Sequence, residues 1–385
     1  MEQKNDVVLP KKSAINSKQP VRILQICDSV SRGSGVAHVI FNWHTQIDTT
    51  KVQFDYLTFF PLSGNDLDEK IVKLGGKVYE LPHPFRSPVK FLRESYRFFK
   101  THRYQTIHSH ITHLNFLFYP LAKMFGAKNI IQHTHTAKWG ITRKSAVRNC
   151  LLVHAVWPLI THKLACSAVA GEAFYGKNFR IVKNGINTEK FAYNPQVRAQ
   201  KRQSLGLENA FVLGHVGRFS PEKNHQFLLD VFAEVAIKDP TARLVLVGTG
   251  PLEQKIKDSA LQKGLQDKVI FLGVRKDVNE LYQAFDVFIF PSLQEGFGLV
   301  AIEAQTAGLP CVFADTLPKE VLVCNFNTLP LHNAPLWADK IIDLKKNFNR
   351  CNGEQAVRAA GLCEKGFDIR QTVKQIQDFY LELEK

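Results

Sequence analysis

The chain has 385 residues, of which 45% are hydrophobic and 22% are charged, a composition typical of a globular protein with room for two cores. Its net charge of +15 is uneven: residues 1–187 hold 26 Lys and Arg against 11 Asp and Glu, whereas residues 188–385 hold 24 of each. This asymmetry predicts an acidic partner for the first half, either nucleic acid, anionic lipid or a phosphorylated acceptor. A merely soluble basic domain is the alternative.

The cysteines and the apolar segments indicate where the protein works. Seven cysteines are scattered without a C-x-x-C pair, which predicts reduced thiols rather than a disulfide framework. The first 20 residues contain no apolar segment of signal-peptide length. The longest apolar stretch, near 150–160, is interrupted by His154 and Pro158 and is too short to span a bilayer. Together these features predict a cytosolic protein.

Short β-rich segments alternate with helical patterns along most of the chain, which predicts parallel sheets wound with helices. In chain order the predicted strands are 21–27, 52–59, 77–82, 106–110, 129–135, 162–167, 180–185, 211–217, 242–248, 268–273, 286–292 and 309–315. We therefore predict an α/β fold with two doubly wound Rossmann-like domains facing across a cleft. The expected divisions are a flexible tail (1–19), a first domain (20–187), a second domain (188–365) and a C-terminal helix that packs back on the first domain (366–385).

Two loops of the second half carry candidate ligand-binding residues. Arg218 and Lys223 follow the strand at 211–217, and two cations beside a helix N-terminus suit a diphosphate; an ordinary basic loop is the alternative. Val274 and Arg275 follow the strand at 268–273, where backbone groups can lie against a flat base.

The segment "PSLQEGFGLVAIEAQTAGLP" places two acids around a glycine turn. Gly296 and Gly298 allow backbone N–H groups to approach a ligand, and a helix is expected to start near Leu299. Glu303, one turn inside that helix, can accept both hydroxyls of a vicinal diol. Stabilisation of the helix N-terminus is the alternative. It fits Glu295 better than Glu303, since a bare charge in an otherwise apolar helix is costly.

In this order, "GRFSPEKN", "FLGVRKDV" and the E-x7-E pair of Glu295 and Glu303 resemble the retaining glycosyltransferases of family 4, which have the GT-B fold. The resemblance extends over nearly the whole chain from Val21. "KLACSAVAGEAFYG" and "GHVGRFSPEKNHQFLLDVF" look like the bacterial branch that builds capsular and extracellular polysaccharides.

The resemblance implies a role for each matching residue. The residues that it implies as catalytic are Arg218 and Lys223 on the donor diphosphate, Glu295 near the donor sugar and its phosphate, and His135 on the donor sugar. The residues that it implies as donor-binding are Gly35 near the diphosphate, Val274 and Arg275 at the base, Gly296, Phe297, Gly298 and Leu299 around the sugar phosphate, and Glu303 on the ribose. Ser34 and Ala37 depart from the pattern of this branch, and His133 is an alternative to His135.

Histidines cluster in "HSHITH" and "QHTHT", at the ends of neighbouring predicted strands. Two H-x-H runs of this kind could bind zinc, because alternate strand residues face the same way. No cysteine or carboxylate accompanies them, and members of the family generally work without metal. We therefore expect one sugar contact among several polar cleft residues, no metal and no cofactor besides a UDP-sugar co-substrate.

The resemblance implies a retaining enzyme that moves a hexosyl or N-acetylhexosaminyl group from a UDP-sugar to a glycan acceptor carried on a lipid diphosphate. Basic segments at 90–104 and 138–160 contain aromatic residues; they could lie on an anionic membrane surface, or form helices that bury their aromatic face. We expect a cytoplasmic protein, peripheral on the inner face of the membrane, with no nucleic-acid partner. The alternatives are a nucleotide-sugar epimerase of the same fold and a non-enzymatic basic protein that binds membrane or nucleic acid.

Overall fold

The computed structural model describes residues 19–30, 35–60, 67–112, 114–136, 139–140, 142–348, 350, 362 and 364–384. Residues 1–18 of the expected tail, Ser34 of the first loop, and two of the cysteines, Cys351 and Cys363, lie outside this range. Cys27, Cys166 and Cys311 are buried thiols.

The first domain is a parallel sheet with the strand order β3-β2-β1-β4-β5-β6-β7. Its strands are β1 (Val21–Ile26), β2 (Val52–Thr58), β3 (Val78–Glu80), β4 (Thr106–Ser109), β5 (Asn129–Thr134), β6 (His162–Ala165) and β7 (Arg180–Ile181). Its helices are α1 (Gly35–His44), α2 (Leu67–Lys73), α3 (Pro88–Thr101), α4 (Asn115–Met124), α5 (Arg143–Ala155) and α6 (Ala168–Tyr175). Ile23, Leu24 and Ile26 are fully buried, as expected for a central strand covered on both faces.

The second domain repeats this plan with the strand order β10-β9-β8-β11-β12-β13. Its strands are β8 (Phe211–Val216), β9 (Ala242–Val247), β10 (Val269–Phe271), β11 (Val287–Phe290), β12 (Cys311–Ala314) and β13 (Phe326–Leu329). Its helices are α7 (Thr188–Phe191), α8 (Pro195–Ser204), α9 (His225–Lys238), α10 (Glu253–Gln262), α11 (Val278–Ala284), α12 (Leu299–Thr306) and α13 (Ala334–Asn347). The sequence patterns did not predict β13, because this edge strand is largely exposed and lacks a continuous apolar run.

Both sheets reverse their strand order at a central strand, and this reversal positions the cleft. β1 lies between β2 and β4, and β8 lies between β9 and β11. In open parallel sheets, ligands bind outside the carboxyl ends of the strands at such a reversal. The loops that follow β8 and β11 contain Arg218, Lys223 and Glu295, so the topology brings these residues to one edge of the second sheet.

The last described helix, α14 (Ile369–Glu382), packs on the first domain although it follows the second domain in sequence. Val373, Ile376 and Tyr380 belong to the same buried cluster as β1 and β2. The backbone N–H of Asp48 donates to Gln377 Oε1 at 2.9 Å. The chain therefore crosses between the domains twice, and its end is held by the first-domain core.

The surface helices of the first domain bury their aromatic residues only in part. In α3, Phe91, Phe98 and Phe99 lie in the core, whereas Tyr96 is exposed on the outer face. No helix within the described residues has the length and apolar character needed to cross a bilayer.

Candidate active site

The loops after β8 and β11 meet through an ion pair. Lys223 Nζ lies 2.5 Å from Glu295 Oε1, and the two side chains are only 18% and 9% exposed. Ser292 Oγ donates to the same carboxylate oxygen at 2.6 Å. Arg218, in the same loop as Lys223, is exposed. Two residues expected to contact the donor are thus adjacent, and Lys223 already has a carboxylate partner.

The turn after Glu295 leaves the start of α12 open to a ligand. Gly298 has a φ of +91°, which a residue with a side chain rarely adopts, and it provides no side-chain cap. The positive end of the helix dipole at Leu299 is therefore available to an anion. The Phe297 side chain packs in the second-domain core, so only its backbone can contact a donor.

Glu303 has the polar partner that its apolar helix requires. Tyr282 Oη donates to Glu303 Oε2 at 2.9 Å. Burial raises the pKa of Glu303 to about 7, against the opposing effects of the Tyr282 hydrogen bond and the Lys190 charge. The sequence reasoning missed Tyr282, because a tyrosine in a mostly buried helix carries no distinctive signal. The Tyr282 hydrogen bond engages Oε2 of Glu303 and leaves Oε1 for a ligand.

The loop after β10 exposes Val274, whose side chain is 53% exposed. The Arg275 guanidinium binds Asp277 through contacts of 2.8 and 2.7 Å. Lys201 Nζ lies 2.7 Å from the same carboxylate. Arg275 is therefore held by its own loop, and the surface that remains for a base consists of Val274 and the neighbouring backbone.

A glycine loop that the sequence reasoning missed supports the position of Arg218. A Cβ atom on Gly248 would lie 2.1 Å from the Gly217 carbonyl oxygen, and one on Gly250 would lie 2.5 Å from the Phe219 carbonyl oxygen. Only glycine allows these two loops such close contact. The signal was present in "VGTGP", directly after β9.

The second-domain loop of Glu295 and Gly296 also contacts the first domain. A Cβ atom on Gly296 would lie 2.3 Å from the His135 carbonyl oxygen, and Ser167 Oγ donates to the Gly296 carbonyl oxygen at 3.4 Å. Leu299 packs against the cores of both domains. Gly35, which the sequence placed near the diphosphate, is the first residue of α1, and a Cβ atom there would have no neighbour within 4 Å. His135 and the Glu295–Gly296 loop are therefore brought together across the cleft.

The four clustered histidines form two hydrogen-bonded pairs. His110 Nδ1 lies 2.8 Å from His135 Nε2, and His108 Nε2 lies 3.2 Å from His133 Nδ1. Burial lowers the pKa of all four rings, that of His135 to about 4, so the rings are neutral near pH 7. Side-chain nitrogens of His108, His110 and His133 lie within 4.8 Å of one another, a spacing within reach of a metal ion. The hydrogen bond between His108 and His133 accounts for the spacing of that pair.

The structure distinguishes the two histidines between which the sequence left a choice. His133 is fully buried, whereas His135 keeps some exposed surface and lies beside the loop of Gly296. His135 is therefore the better placed to contact a ligand in the cleft.

Comparison with known proteins identifies the family. Residues 197–354 match the family described as "Glycosyl transferases group 1". The chain is 32% identical over 321 residues to "Putative glycosyltransferase EpsF" of Bacillus subtilis, covering 80% of this chain and 82% of that protein. It is 26% identical over 314 residues to the Escherichia coli "UDP-Gal:alpha-D-GlcNAc-diphosphoundecaprenol alpha-1,3-galactosyltransferase", covering 77% and 80% of the two chains.

A solved structure has the same architecture. The Anabaena Alr3699/HepE protein in complex with UDP-glucose aligns with a TM-score of 0.77 at 20% identity, covering 94% of this chain and 99% of that chain. This similarity shows the fold, and it confirms the GT-B arrangement expected from the sequence. The similarity to the Bacillus subtilis protein over most of both chains shows the family: the chain belongs to the group 1 glycosyltransferases.

Proposed function

We propose that the protein transfers a hexosyl or N-acetylhexosaminyl group from a UDP-sugar to a glycan acceptor on a lipid diphosphate, with retention of configuration. The pathway would be synthesis of a bacterial extracellular or capsular polysaccharide. The observation that carries this proposal is the meeting of Lys223, Glu295 and the open start of α12 at one edge of the second sheet, opposite His135.

The charges at this edge suit a nucleotide diphosphate. Lys223, Arg218 and the helix end at Leu299 provide positive charge for the diphosphate, whose negative charge grows as the glycosidic bond breaks. Glu303, about one turn further along α12, is placed to accept the ribose hydroxyls. Because the protein provides these cations itself, we propose that turnover requires no metal ion.

The relatives support the choice of donor and acceptor. The name of the Escherichia coli relative specifies UDP-galactose and an acceptor on diphosphoundecaprenol. The Anabaena structure was solved with UDP-glucose. We extend a UDP-sugar donor and a lipid-diphosphate acceptor to this chain by relationship, and we leave the identity of the sugar open.

We propose same-face attack by the acceptor rather than a covalent intermediate, as the family resemblance implies. The Glu295 carboxylate, the acid expected nearest the donor sugar, is engaged by Lys223 and Ser292. We assign neither a nucleophile nor a general base.

A transfer assay tests this function. Purified protein is incubated with a panel of UDP-, GDP- and ADP-sugars and polyprenyl-diphosphate-linked sugar acceptors, with and without EDTA, and the anomer of the product is assigned by NMR. We expect transfer from one class of UDP-sugar, with retention and without loss in EDTA. Transfer from a GDP-sugar only, an inverted product or loss of turnover in EDTA would each contradict the corresponding part of the proposal.

We also propose that the first domain rests on an anionic membrane through the outer faces of α3, α4 and α5. Exposed apolar residues alternate there with exposed cations. On α5, Val147 and Leu151 are 55% and 67% exposed, and Arg143, Lys144 and Arg148 are exposed beside them. A surface of this kind combines apolar insertion with attraction to anionic lipid.

Vesicle sedimentation tests the membrane surface. The wild-type chain should bind vesicles that contain anionic lipid more strongly than neutral vesicles, and Val147→Ser with Leu151→Ser should weaken that binding. Ile237→Ser, at a 77% exposed position on α9 of the second domain, is the matched control and should bind like wild type. Equal binding of all three chains would refute this surface.

A further inference from the structure

The second domain contains a cavity of about 560 Å³ at the edge of its sheet opposite to the loops of the candidate active site. Phe211 and Val287, which begin β8 and β11, line it together with Pro310, which directly precedes β12. The loops of Lys223 and Glu295 follow the other ends of β8 and β11, so both strands run from this cavity to the candidate active site. Its volume falls within the usual range for small-molecule pockets.

The side chains around this cavity carry an excess of positive charge. Five of them are cationic and one is acidic: Arg198, Arg202, Lys345, Lys346 and Arg350 against Asp286. Residues 188–385 as a whole hold equal numbers of cationic and acidic residues, so the excess is local to the cavity. Asp286 accepts hydrogen bonds from both Arg198 and Arg202, and Lys345 is paired with Asp239. Even with both carboxylates counted, cations outnumber anions among the described residues of this site.

The cations are close enough to repel one another. The buried Arg350 guanidinium lies over the Tyr193 ring, 4.3 Å from its centroid. Burial, followed by the charge of Arg198, lowers the pKa of Arg350 to about 9. A bound anion would offset this repulsion, because a nearby opposite charge favours the ionised form of the guanidinium. The cavity therefore suits an anion better than a neutral or cationic ligand.

Two of the five cations lie at the solvent side of the cavity. Lys345 and Lys346 are in the last turn of α13 and are exposed, so the cavity opens to solvent there. Binding of the carbonyl groups at the end of α11 accounts for the positions of the arginines. Arg198 Nη1 donates to the Phe285 carbonyl oxygen at 2.8 Å, and Arg202 Nη1 donates to that of Ala284 at 2.9 Å. This structural role does not require the two lysines, which belong to a different helix.

Arg350 connects the cavity to the helix of Glu303. Its guanidinium donates to the Tyr282 carbonyl oxygen at 3.0 Å and to the Ala307 carbonyl oxygen at 3.0 and 2.6 Å. Tyr282 is the residue of α11 whose hydroxyl binds Glu303, and Ala307 directly follows α12. A ligand that changes the position of Arg350 therefore acts on Glu303 through both helices.

We propose that this cavity is a second ligand site, which binds a small anion with two or more negative charges, such as a phosphate ester or a diphosphate, and that Arg350 transmits its occupancy to α11 and α12. Arginines suit such oxyanions, because a guanidinium presents paired N–H groups to two oxygen atoms. The site takes no part in the transfer itself, since it lies at the other edge of the sheet. Its binding of an anion does not depend on the proposed function.

Calorimetric titration with inorganic pyrophosphate tests the anion site. Lys345→Gln with Lys346→Gln removes two charges from the cavity and should weaken pyrophosphate binding roughly tenfold. Lys257→Gln with Lys263→Gln is the matched control, since it removes two exposed, paired lysines at α10, and it should bind like wild type. Lys223→Ala removes a cation of the candidate active site, and the binding that the first pair of substitutions weakens should persist in it.

Hydrogen exchange of the wild-type chain is a second measurement that needs no variant. Pyrophosphate should slow amide exchange in α8 and α13, which line the cavity, and in α11 and α12, which Arg350 connects to it. Slowing in α8 and α13 alone would support the anion site and overturn the connection to α12.

Three results would overturn the anion site itself. They are slowing confined to the loops 217–224 and 291–298, equal effects of the two lysine pairs, and no binding of pyrophosphate by the wild-type chain. Each of them leaves the proposed function intact, because that function fails only if the wild-type chain transfers no sugar.

Discussion

The first-domain side of the cleft presents neutral rings, whereas the second-domain side presents charged groups that are paired with one another. His135 belongs to a buried network of histidines whose pKa values are lowered by burial. Across the cleft, Lys223 holds Glu295. The Arg275 guanidinium is likewise held by Asp277.

This difference indicates how the two sides meet a donor. The neutral side is assembled in advance, because its histidines are already hydrogen-bonded to one another. Under the proposed function the charged side must exchange partners, because Lys223 is already paired with the Glu295 carboxylate. We therefore expect substitutions on the charged side to affect turnover most, and substitutions at the contact between the sides to affect it least.

The largest effect is expected from Lys223→Ala. Under the proposed function it removes a cation that stabilises the leaving diphosphate, and kcat should fall by about 10²–10³-fold. Lys257→Ala is the control, since Lys257 is a 42% exposed cation paired with Glu253 on α10; steady-state kinetics should find it within about twofold of wild type. If the two variants lose activity equally, Lys223 does not serve the donor.

An intermediate effect is expected from Glu303→Gln. A hydrogen bond to a charged carboxylate contributes about 1.5–3 kcal/mol, so the affinity for the UDP-sugar should fall roughly 10- to 100-fold. Because the pKa of Glu303 is about 7, wild-type affinity should also decrease as the pH falls below 7, and the variant should lose this dependence. Calorimetric titration at pH 6 and pH 8 measures both effects.

The stability of the same variant should change in the opposite direction. The folded pKa of about 7 lies above the ordinary value of 4.5, so Glu303 lowers the stability of the fold as the pH rises from about 4.5 to about 7, and the loss is complete above pH 7. Unliganded Glu303→Gln should therefore melt ~2–4 °C higher than wild type at pH 8, with a smaller difference at pH 6. A lower Tm at pH 8 would show that the carboxylate stabilises the fold.

The smallest effect is expected from Gly296→Ala at the contact between the two sides. The added methyl would lie 2.3 Å from the His135 carbonyl oxygen and must push the loops apart, so kcat/KM should fall roughly tenfold. Gly264→Ala is the control: it has a φ of +67°, has nothing within 4 Å of its Cβ position and lies between α10 and β10. Gly264→Ala should lose stability but keep its kcat/KM. If Gly264→Ala lost kcat/KM while Gly296→Ala kept it, the contact at Gly296 would not be functional.

Periodicity along the chain predicted most of the strands, because buried parallel strands are continuous apolar runs such as 242–248. It did not reveal β13, an exposed edge strand. Glycine turns and charged residues after strands predicted the loops of Lys223 and Glu295, since topology alone brings strand ends together. The sequence could not show that these two side chains pair with each other, because they lie 72 positions apart.

The supporting residues were less accessible to sequence reasoning. These residues are Tyr282, Gln25 and Tyr380, which hydrogen-bond to Glu303, His110 and His108, respectively. Their residue types are common in helices and strands. Only the packing of α14 on the first domain places Tyr380 beside the histidines. Contacts of this kind depend on tertiary structure and leave no local pattern in the sequence.

The most direct test of the central claim is a thermal-shift measurement of UDP and UDP-sugar binding to wild type and Glu303→Gln, each with and without EDTA. A ligand at about a hundred times its Kd stabilises the native state by roughly 2.7 kcal/mol, a readily measured change. We predict stabilisation of wild type by UDP and by one class of UDP-sugar, unchanged by EDTA and strongly reduced in the variant. Equal stabilisation of both chains, or none by any uridine nucleotide, would contradict a donor site at Glu303.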